Sequence, residues 1–498
     1  MRHAVDHSCN PVSFYQHRAR KALRSGPIHD HSVLNQISHL VLLSVIIKTM
    51  KTTGIIAEYN PFHNGHLYQM QEARRLSGAD YIIVVMSPDF VQRGAPALTD
   101  KWARAHMALQ AGADLVLELP IRAATGSAEY FAMGGVSLLS SLHVVDALSF
   151  GCETADITPL AEYASFLTRE EPGEYRQLLQ RALKEGKSFA QARCDAYLEY
   201  RRTHTDSDCG NDSDLPGEMT GGISRIIPAS GKDTPALDKA SLGDLLRSPN
   251  NILAVEYLKA ILKTGSRLKP VPVRRTGAGY HDPAFGSSKS GFASATGIRT
   301  ALSEGIDIKD QIPDEAYEIL YRELAADRYL TTTDLDLPLH LKLIASRQSL
   351  AAYSDVSEEL ANRIDHLLGQ YTGFEQFTDL LKTKQIARTR VTRALLHILL
   401  GLKKEADADA ARDTRPGYAR VLGFRRSAQP LLAKIKERSD LTLITKLPPE
   451  SQIPIQLQED LNASQLWEIL VSHKAHVPVR NERQRQILRI SSSRAYHL

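Results

Sequence analysis

Two histidines, His63 and His66, are separated by two residues, the second of which is Gly65. A short apolar stretch, Ile55 to Ala57, precedes the pair, and an amphipathic segment, Leu67 to Leu76, follows it. Because glycine has no β-carbon, a nucleotide can lie close to the backbone at that position. A helix beginning there would present unpaired N–H groups and the positive end of its dipole to phosphate. Two imidazoles beside it can donate hydrogen bonds to charge that develops at a phosphorus centre.

The spacing by itself is a weak signal, since His-x-x-His occurs by chance and two histidines near a helix start can simply cap the helix. The context is more specific. A strand, a glycine-bearing turn and a helix in this order resemble the HxGH motif of nucleotidyltransferases and class I aminoacyl-tRNA synthetases. The arrangement therefore predicts adenylylation chemistry.

A second motif reads Ser287-Ser-Lys289-Ser-Gly-Phe-Ala-Ser294-Ala-Thr296-Gly-Ile-Arg299. It resembles both the mobile Lys-Ser loop of the synthetases and the Ser-Ser-Thr-x-Ile-Arg motif of nucleotidyltransferases. Ser294 and Thr296 can open a helix whose hydroxyl and N–H groups face an anion. Arg299 would supply a forked cation for phosphate oxygens, and Lys289 a point charge for departing pyrophosphate. A capped helix after a Ser-rich surface loop is the alternative.

Several segments together are similar to the tRNA(Met) cytidine acetate ligase family: Glu58–Tyr68, Lys101–Arg104, Pro249–Leu253 and Arg274–Asp282 among them. The similarity runs from Met50 to about residue 450. It implies an enzyme that activates acetate with ATP to acetyl-adenylate and releases pyrophosphate. The acetyl group then passes to N4 of the wobble cytidine of elongator tRNA(Met). Mg²⁺ is expected to accompany ATP, although no dedicated carboxylate cluster is visible and Asp282 is only a weak candidate.

The catalytic residues expected from the motifs are His63, His66, Lys289 and Arg299. The expected ATP-binding residues are Ile56, Ala57, Glu58, Tyr59, Asn60, Pro61, Phe62, His63, Asn64, Gly65, His66, Leu67, Tyr68, Gln69, Gly151, Asn251, Arg274, Ser294 and Thr296. Asn251 can read an adenine edge or a ribose hydroxyl, or can simply cap the helix that follows. Arg274 is favoured over its neighbour Arg275 as a phosphate ligand. Gln92, Lys101 and Arg104 are candidates for the pocket or for the surface.

Short apolar runs at residues 54–57, 81–86, 115–117, 147–150 and 269–273 are predicted to be strands. Helices are predicted at residues 67–77, 99–111, 127–142, 158–169 and 174–185. This alternation predicts an α/β fold in which a Rossmann-like parallel sheet binds ligands beyond the carboxyl ends of its strands. The polar stretch 204–238 is expected to be a disordered insertion in a catalytic domain that spans residues 50–310.

Residues 311–498 are predicted to form a mainly helical domain, with periodic apolar residues at 339–345, 356–368, 374–381 and 391–400. We expect it to bind tRNA, because basic residues cluster there: Lys382, Lys384, Arg388, Arg390 and Arg393 in one run and Arg415, Arg420, Arg425 and Arg426 in a second. Tyr418 and Phe424, interleaved with the second group, could stack on bases. A solvated helix face is the alternative interpretation.

The 498 residues carry a formal charge of +4, which permits a nucleic-acid partner without requiring one. Four cysteines without metal-type spacing indicate a reducing, cytoplasmic setting. Residues 1–49 are expected to be an extension outside the fold, since their only apolar run, 39–47, is too short to span a bilayer. No transmembrane segment is predicted elsewhere.

Two other functions fit some of these features. One is a small-molecule adenylyltransferase of cofactor biosynthesis, which would need little beyond the sheet domain. The other is an RNA-binding protein with a relic nucleotide site, which the intact histidines, Lys289 and Arg299 argue against.

Overall fold

The structure, a computed structural model, describes residues 50–154, 156–205, 239–275, 292–404 and 416–491. The expected N-terminal extension and nearly all of the expected insertion lie outside the described residues. So do Lys289, Asp282 and Arg415. His204, which we expected to begin the insertion, instead lies near the end of a helix, Phe189–Thr205.

Eight strands form one sheet in the spatial order β10-β8-β5-β2-β1-β6-β7, with β9 paired to β8. The strands of the chain are β1 (Thr52–Ala57), β2 (Tyr81–Met86), β3 (Phe90–Val91), β4 (Ala95–Pro96), β5 (Leu115–Glu118), β6 (Ala147–Cys152), β7 (Lys269–Arg274), β8 (Tyr418–Arg425), β9 (Thr442–Ile444) and β10 (Leu488–Ile490). Strands β3 and β4 form a separate hairpin. All five predicted strands occur, and all five pair in parallel.

The helices pack on both sides of the sheet and continue into a helical region. They are α1 (Asn64–Ser77), α2 (Lys101–Gln110), α3 (Ile121–Ala124), α4 (Ala128–Ser141), α5 (Thr158–Phe166), α6 (Gly173–Lys184), α7 (Phe189–Thr205), α8 (Lys239–Arg247), α9 (Pro249–Lys263), α10 (Ala295–Ser303), α11 (Asp314–Ala325), α12 (Asp336–Ala345), α13 (Glu358–Leu367), α14 (Phe374–Leu381), α15 (Arg388–Leu400), α16 (Gln429–Arg438) and α17 (Ile455–Ala475). The predicted α/β fold is confirmed.

The central strands are buried along almost their whole length because helices cover both faces of the sheet. Residues 82–86 of β2 and all of β5 are buried, as expected for a parallel sheet between helical layers. The strand order reverses between β1 and β6, where successive connections run to opposite sides. A crevice forms at such a reversal, beyond the carboxyl ends of the strands. The histidine motif follows β1 and therefore lies at this crevice.

Strand β8 comes from the C-terminal part of the chain and pairs antiparallel with β5. Strands β9 and β10 then pair in parallel with β8. The prediction of a mainly helical C-terminal region is confirmed for α12–α15 and α17, but it did not include these strands. The boundary near residue 310 stays a prediction, although strands on both sides of it share the sheet and residues Lys51–Leu498 group as one unit.

The hairpin β3–β4 joins the sheet region to the helical region. The Thr392 hydroxyl, on α15, donates to the Arg93 carbonyl at 2.6 Å. Gly94 has a φ of +75°, and a β-carbon there would lie 2.4 Å from the backbone of Arg393. Only glycine satisfies both the positive φ and this close approach. The hairpin therefore sits directly against the start of α15.

Candidate active site

His63 and His66 are held by a reciprocal hydrogen-bond arrangement at the first turn of α1. His63 is the N-cap residue, and its Nδ1 accepts a hydrogen bond from the Gly65 backbone N–H at 3.1 Å. His66 Nδ1 accepts from the His63 N–H at 3.3 Å. Gly65 permits this geometry, since a β-carbon there would lie 2.9 Å from the His63 ring. The two rings lie 3.7 Å apart between centroids. The two histidines therefore do cap the helix, as the alternative interpretation predicted, but capping uses only the Nδ1 atom of each ring.

Both imidazoles are neutral at pH 7. Burial, together with the positive charges of Arg275 and Arg299, lowers the pKa of His63 to about 3. Burial, the neighbouring His63 and Arg275 lower the pKa of His66 well below its usual range. Because each Nδ1 accepts a hydrogen bond, the single proton of each neutral ring sits on Nε2. None of the described residues hydrogen bonds to either Nε2, so two N–H donors remain for a ligand.

Arg299 is positioned by the segment that precedes the histidines. Ser294 caps α10, accepting from the Gly297 N–H at 3.1 Å. Arg299 Nη1 donates to the Asn60 carbonyl at 2.6 Å, and Nη2 donates to the Thr296 hydroxyl at 3.3 Å. Burial lowers the pKa of Arg299 from its very high ordinary value, which leaves the group cationic at neutral pH. The two sequence motifs therefore meet through a direct hydrogen bond.

A cavity of about 1050 Å³ lies at the carboxyl ends of the strands, between these motifs. A volume of this size is sufficient for a nucleotide and a second substrate. It brings together the expected catalytic residue Arg299 and most of the residues expected to bind ATP: Ile56, Ala57, Glu58, Tyr59, Asn60, His63, Gly65, His66, Tyr68, Gln69, Gly151, Arg274, Ser294 and Thr296. Pro61, Phe62, Asn64, Leu67 and Asn251 do not line it.

The structure distinguishes the two neighbouring asparagines. Asn251 is fully buried: its Oδ1 accepts from the Glu153 N–H at 3.0 Å, and its Nδ2 donates to the Leu245 carbonyl at 2.9 Å. It is not the helix cap, which is Ser248. Asn250 lines the cavity instead. The amide of Asn251 is therefore engaged in hydrogen bonds to the backbone and does not line the cavity.

Both arginines at the end of β7 line the cavity, but only one of them acts on the histidines. Arg275, the less favoured choice, contributes to the lowered pKa of both rings. Its Nη1 donates to Asn250 Oδ1 at 2.9 Å. Arg274 and Arg275 are both exposed at the end of the strand, so exposure does not distinguish them. The geometry thus brings Arg275 towards the position expected of a phosphate ligand.

Lys101 and Arg104 are not pocket residues, and the surface alternative is wrong as well. Both side chains are fully buried. Lys101 Nζ lies 2.6 Å from Glu118 and 2.7 Å from the Ser464 hydroxyl. Arg104 donates to backbone carbonyls, including that of Glu58 at 2.8 Å. Ion pairing explains the burial of Lys101, and hydrogen bonds to backbone carbonyls explain that of Arg104, since charged groups enter a protein interior only with partners. Gln92 does line the cavity.

The first basic cluster differs in exposure from residue to residue. Lys382, Lys384 and Arg390 are exposed. Arg388 lines the cavity and pairs with Glu375 and, at 3.3 Å, with Asp379. Arg393 is largely buried and bonds to Asp355 at 2.8 Å. The five side chains therefore do not form one uniformly solvated face.

The second basic cluster does not provide stacking aromatics, so that expectation is wrong. Tyr418 and Phe424 are buried because β8 lies inside the sheet. Arg420 is buried in the same ionic network as Lys101, 3.1 Å from Glu118. Arg425 donates to the Leu109 and Gln110 carbonyls at the end of α2, at 2.9 and 3.1 Å. These side chains hold the sheet and α2 together; Arg426 is exposed.

Sequence reasoning missed several polar residues of the cavity wall, among them Arg93, Asp327, Thr331 and Tyr257. Tyr257, on α9, lines the cavity and is 3% exposed, and its hydroxyl has no hydrogen-bond partner among the described residues. Nothing in the local sequence of an apolar helix distinguishes a tyrosine that faces a ligand from one that fills the core.

Two searches of the described residues were negative. They contain no group of three His, Cys, Asp or Glu side chains arranged to hold a metal ion. Within the same part of the chain, we find no helix combining the length and apolar character that crossing a bilayer requires.

Known proteins share this sequence and fold. Residues 50–482 match the model of the family described as HIGH Nucleotidyl Transferase. The chain is 35% identical over 429 residues to a tRNA(Met) cytidine acetate ligase of Clostridium perfringens, covering 84% of this chain and 96% of that protein. It is 37% identical over 425 residues to the protein of the same name from Clostridium kluyveri, covering 84% and 95%. A crystal structure of Thermotoga maritima TmcAL bound with alpha-thio ATP superposes with a TM-score of 0.73 at 29% identity, covering 89% of this chain and all of that one.

Proposed function

Because this chain belongs to the tRNA(Met) cytidine acetate ligase family of HIGH nucleotidyl transferases, we propose that it is an ATP-dependent ligase that acetylates N4 of the wobble cytidine of elongator tRNA(Met). Acetyl-adenylate is the intermediate, and AMP and pyrophosphate are the other products. The observation that carries this proposal is that His63 and His66 line the cavity beside Arg299 with only the Nδ1 atom of each ring hydrogen bonded among the described residues.

In the first half-reaction a carboxylate oxygen of acetate attacks the α-phosphorus of ATP. The bond from phosphorus to the bridging oxygen breaks, and pyrophosphate leaves. His63 and His66 donate to the α-phosphate oxygens as their negative charge grows. Neutral donors that are already oriented need no reorganisation, which is why such groups are effective. Arg299, Arg275 and Lys289 would attract the remaining phosphates.

In the second half-reaction the cytidine amine attacks the acetyl carbon, AMP leaves and the nitrogen loses a proton. The amine is a poor nucleophile because its lone pair is delocalised into the ring. A preactivated acyl group and close placement must therefore supply the rate. The base would have to leave its stack to reach the cavity. Arg388, on the cavity wall near exposed Lys384 and Arg390, supports a tRNA path along the start of α15.

Mg²⁺ would enter with ATP. The ion usually binds through phosphates, waters and one or two carboxylates, so a dedicated cluster of protein ligands is not required. It would neutralise charge on the departing pyrophosphate. Acetylation of tRNA fits a cytoplasmic setting, and so do the free, buried cysteines Cys152 and Cys194.

Incubation with ATP, labelled acetate and purified tRNAs tests the proposal. We expect label in elongator tRNA(Met) at one cytidine, with one pyrophosphate released for each acetyl group transferred. Initiator tRNA is the matched control and should remain unlabelled. Labelling that requires acetyl-CoA in place of acetate and ATP would refute the proposal. Adenylylation of a phosphorylated small molecule would favour the cofactor-type alternative.

A further inference from the structure

Glu58 follows the last residue of β1 and places a half-exposed carboxylate on the cavity wall. Its Oε1 accepts the Gln92 backbone N–H at 2.9 Å. Gln92 lies in the turn of the β3–β4 hairpin, so the Glu58 side chain is directed towards that hairpin. Its Oε2 has no hydrogen-bond partner in the described part of the chain, yet it is not sealed from solvent. A ligand in the cavity can therefore reach this oxygen.

Glu58 lies between the nucleotide motifs and the proposed tRNA path. On one side, the Asn60 carbonyl, two residues further along the chain, accepts from Arg299 at 2.6 Å. On the other side, the Arg93 carbonyl of the hairpin accepts the Thr392 hydroxyl of α15 at 2.6 Å. A cytidine delivered along the start of α15 and an adenylate held beside Arg299 would therefore meet next to Glu58.

Most titratable side chains of the cavity cannot accept a proton at neutral pH. Burial holds the pKa of His63 at about 3 and that of His66 well below its usual range, so both imidazoles are weak bases. Burial also raises the pKa of Tyr59 and Tyr257, whose hydroxyls therefore stay protonated. A proton released from a substrate must go to another group.

Three carboxylates line the cavity among the described residues: Glu58, Asp327 and Glu375. Glu375 is paired with Arg388. Asp327 is exposed at the end of α11. Of the three, Glu58 alone both hydrogen bonds to the hairpin and belongs to the segment that holds Arg299. It is therefore the carboxylate best placed to meet both substrates.

The chemistry of a carboxylate matches the exocyclic amine of cytosine. An ionised carboxylate accepts hydrogen bonds and donates none. Cytosine presents the N4 amine as a donor, whereas uracil presents O4, an acceptor, at the same position. A carboxylate at this point would bind cytosine and repel uracil. It would also hold an acceptor beside the hydrogen that the nitrogen must lose.

We propose that Glu58 binds the N4 amine of the wobble cytidine and takes one of its protons during acetyl transfer. N4 attacks the acetyl carbon, the bond from that carbon to the adenylate oxygen breaks, and AMP leaves with the bonding electrons. The proton passes from N4 to the Glu58 carboxylate and then to solvent. The inference rests on the proposed function and adds to it the residue that recognises the base.

Glu58→Gln tests the proton transfer. Glutamine keeps an oxygen for the Gln92 N–H but cannot take a proton. Single-turnover acetyl transfer to elongator tRNA(Met) should slow by about 10²- to 10⁴-fold, while acetate-dependent ATP–pyrophosphate exchange, which needs no amine, should stay within about tenfold of the wild type. Glu72→Gln is the matched control, because Glu72 lies on α1 outside the cavity and pairs with Arg75 at 2.7 Å. It should alter neither rate.

A binding measurement tests the recognition of the base without catalysis. Wild-type protein should bind elongator tRNA(Met) with cytidine at the wobble position about fivefold or more tightly than the same tRNA with uridine. Glu58→Gln should lose most of this preference, because an amide can donate to O4 as well as accept from N4. Both tRNAs are compared by filter retention at one salt concentration.

Equal losses of exchange and transfer in Glu58→Gln would overturn the inference and assign Glu58 to adenylate formation. Unchanged transfer in this variant would also overturn it, as would a wild-type protein that binds both tRNAs equally. Absence of acetate-dependent exchange, or of any transfer to tRNA, in the wild type would instead refute the proposed function itself.

Discussion

His66 has two roles that different substitutions can separate. Its Nδ1 accepts the His63 N–H at 3.3 Å, which completes the capping arrangement of α1. Its Nε2–H is available to the cavity. His66→Ala removes both. Loss of a capping bond of this kind costs about 1 kcal/mol of stability. Loss of one donor to a developing oxyanion costs about 2.7–4 kcal/mol in the barrier, which corresponds to roughly a 10²- to 10³-fold lower kcat.

His66→Glu removes only the second role. Glutamate at the third helical position can accept the N-cap N–H, and its charge is favourable at a helix N-terminus. It has no proton to donate at neutral pH and repels phosphate. We therefore expect the glutamate variant to unfold in urea within about 0.5 kcal/mol of the wild type, yet to lose at least as much exchange activity as His66→Ala.

The assay is acetate-dependent ATP–pyrophosphate exchange, with urea unfolding of the same preparations measured in parallel. Binding of tRNA, followed by filter retention, should be unchanged in both variants because His66 is not one of the basic residues proposed to contact tRNA. The reasoning would be refuted by a glutamate variant that retains exchange within tenfold of the wild type. It would also be refuted if activity followed stability across the two variants.

Three further predictions concern single charged or titratable residues. Lys101→Met leaves the buried Glu118 carboxylate with fewer partners and should lower the free energy of unfolding by about 3–5 kcal/mol in urea titrations, whereas a pocket residue would affect exchange alone. Arg390→Glu should weaken tRNA binding in filter-binding assays and reduce the salt dependence of that binding, while ATP–pyrophosphate exchange is unchanged. Arg425→Ala removes the hydrogen bonds to the Leu109 and Gln110 carbonyls of α2. It should lower the free energy of unfolding by about 1–3 kcal/mol and leave tRNA affinity unchanged. Because the pKa of His63 falls from 6.5 to about 3 on folding, the unfolded chain binds the additional proton between these values. Stability should therefore decrease as the pH falls from 6.5 towards 3, and His63→Gln should show a smaller decrease in acid-unfolding curves.

The central sheet could be predicted because its strands carry their own signal. A strand covered on both faces is a short apolar run, and β2 and β5 appear in the sequence as such runs. The histidine motif after β1 could also be predicted, since the end of the strand, Gly65 and the start of the helix are adjacent in the chain. Local chemistry of this kind needs no knowledge of distant residues.

The residues whose environment was not predicted from the sequence share a different property: they have contacts with residues far away in the sequence. In the sequence Lys101 resembles an exposed helix residue, but in the structure its ammonium group is buried and contacts Glu118 and Ser464. Strand β8 could not be assigned to the sheet because its neighbour, β5, lies some three hundred residues earlier. Tyr257 lines the cavity only because α9 packs against α4 and β6.

The sequence by itself therefore determined the α/β class, the strand–helix junction that carries His63 and His66, and the helix that carries Arg299. Each depends on interactions within a few residues of the chain. Only the tertiary structure decided which charges are buried in pairs and which arginine approaches the histidines. Those outcomes depend on the surfaces that meet when distant segments pack, and the spacing of residues along the chain does not encode them.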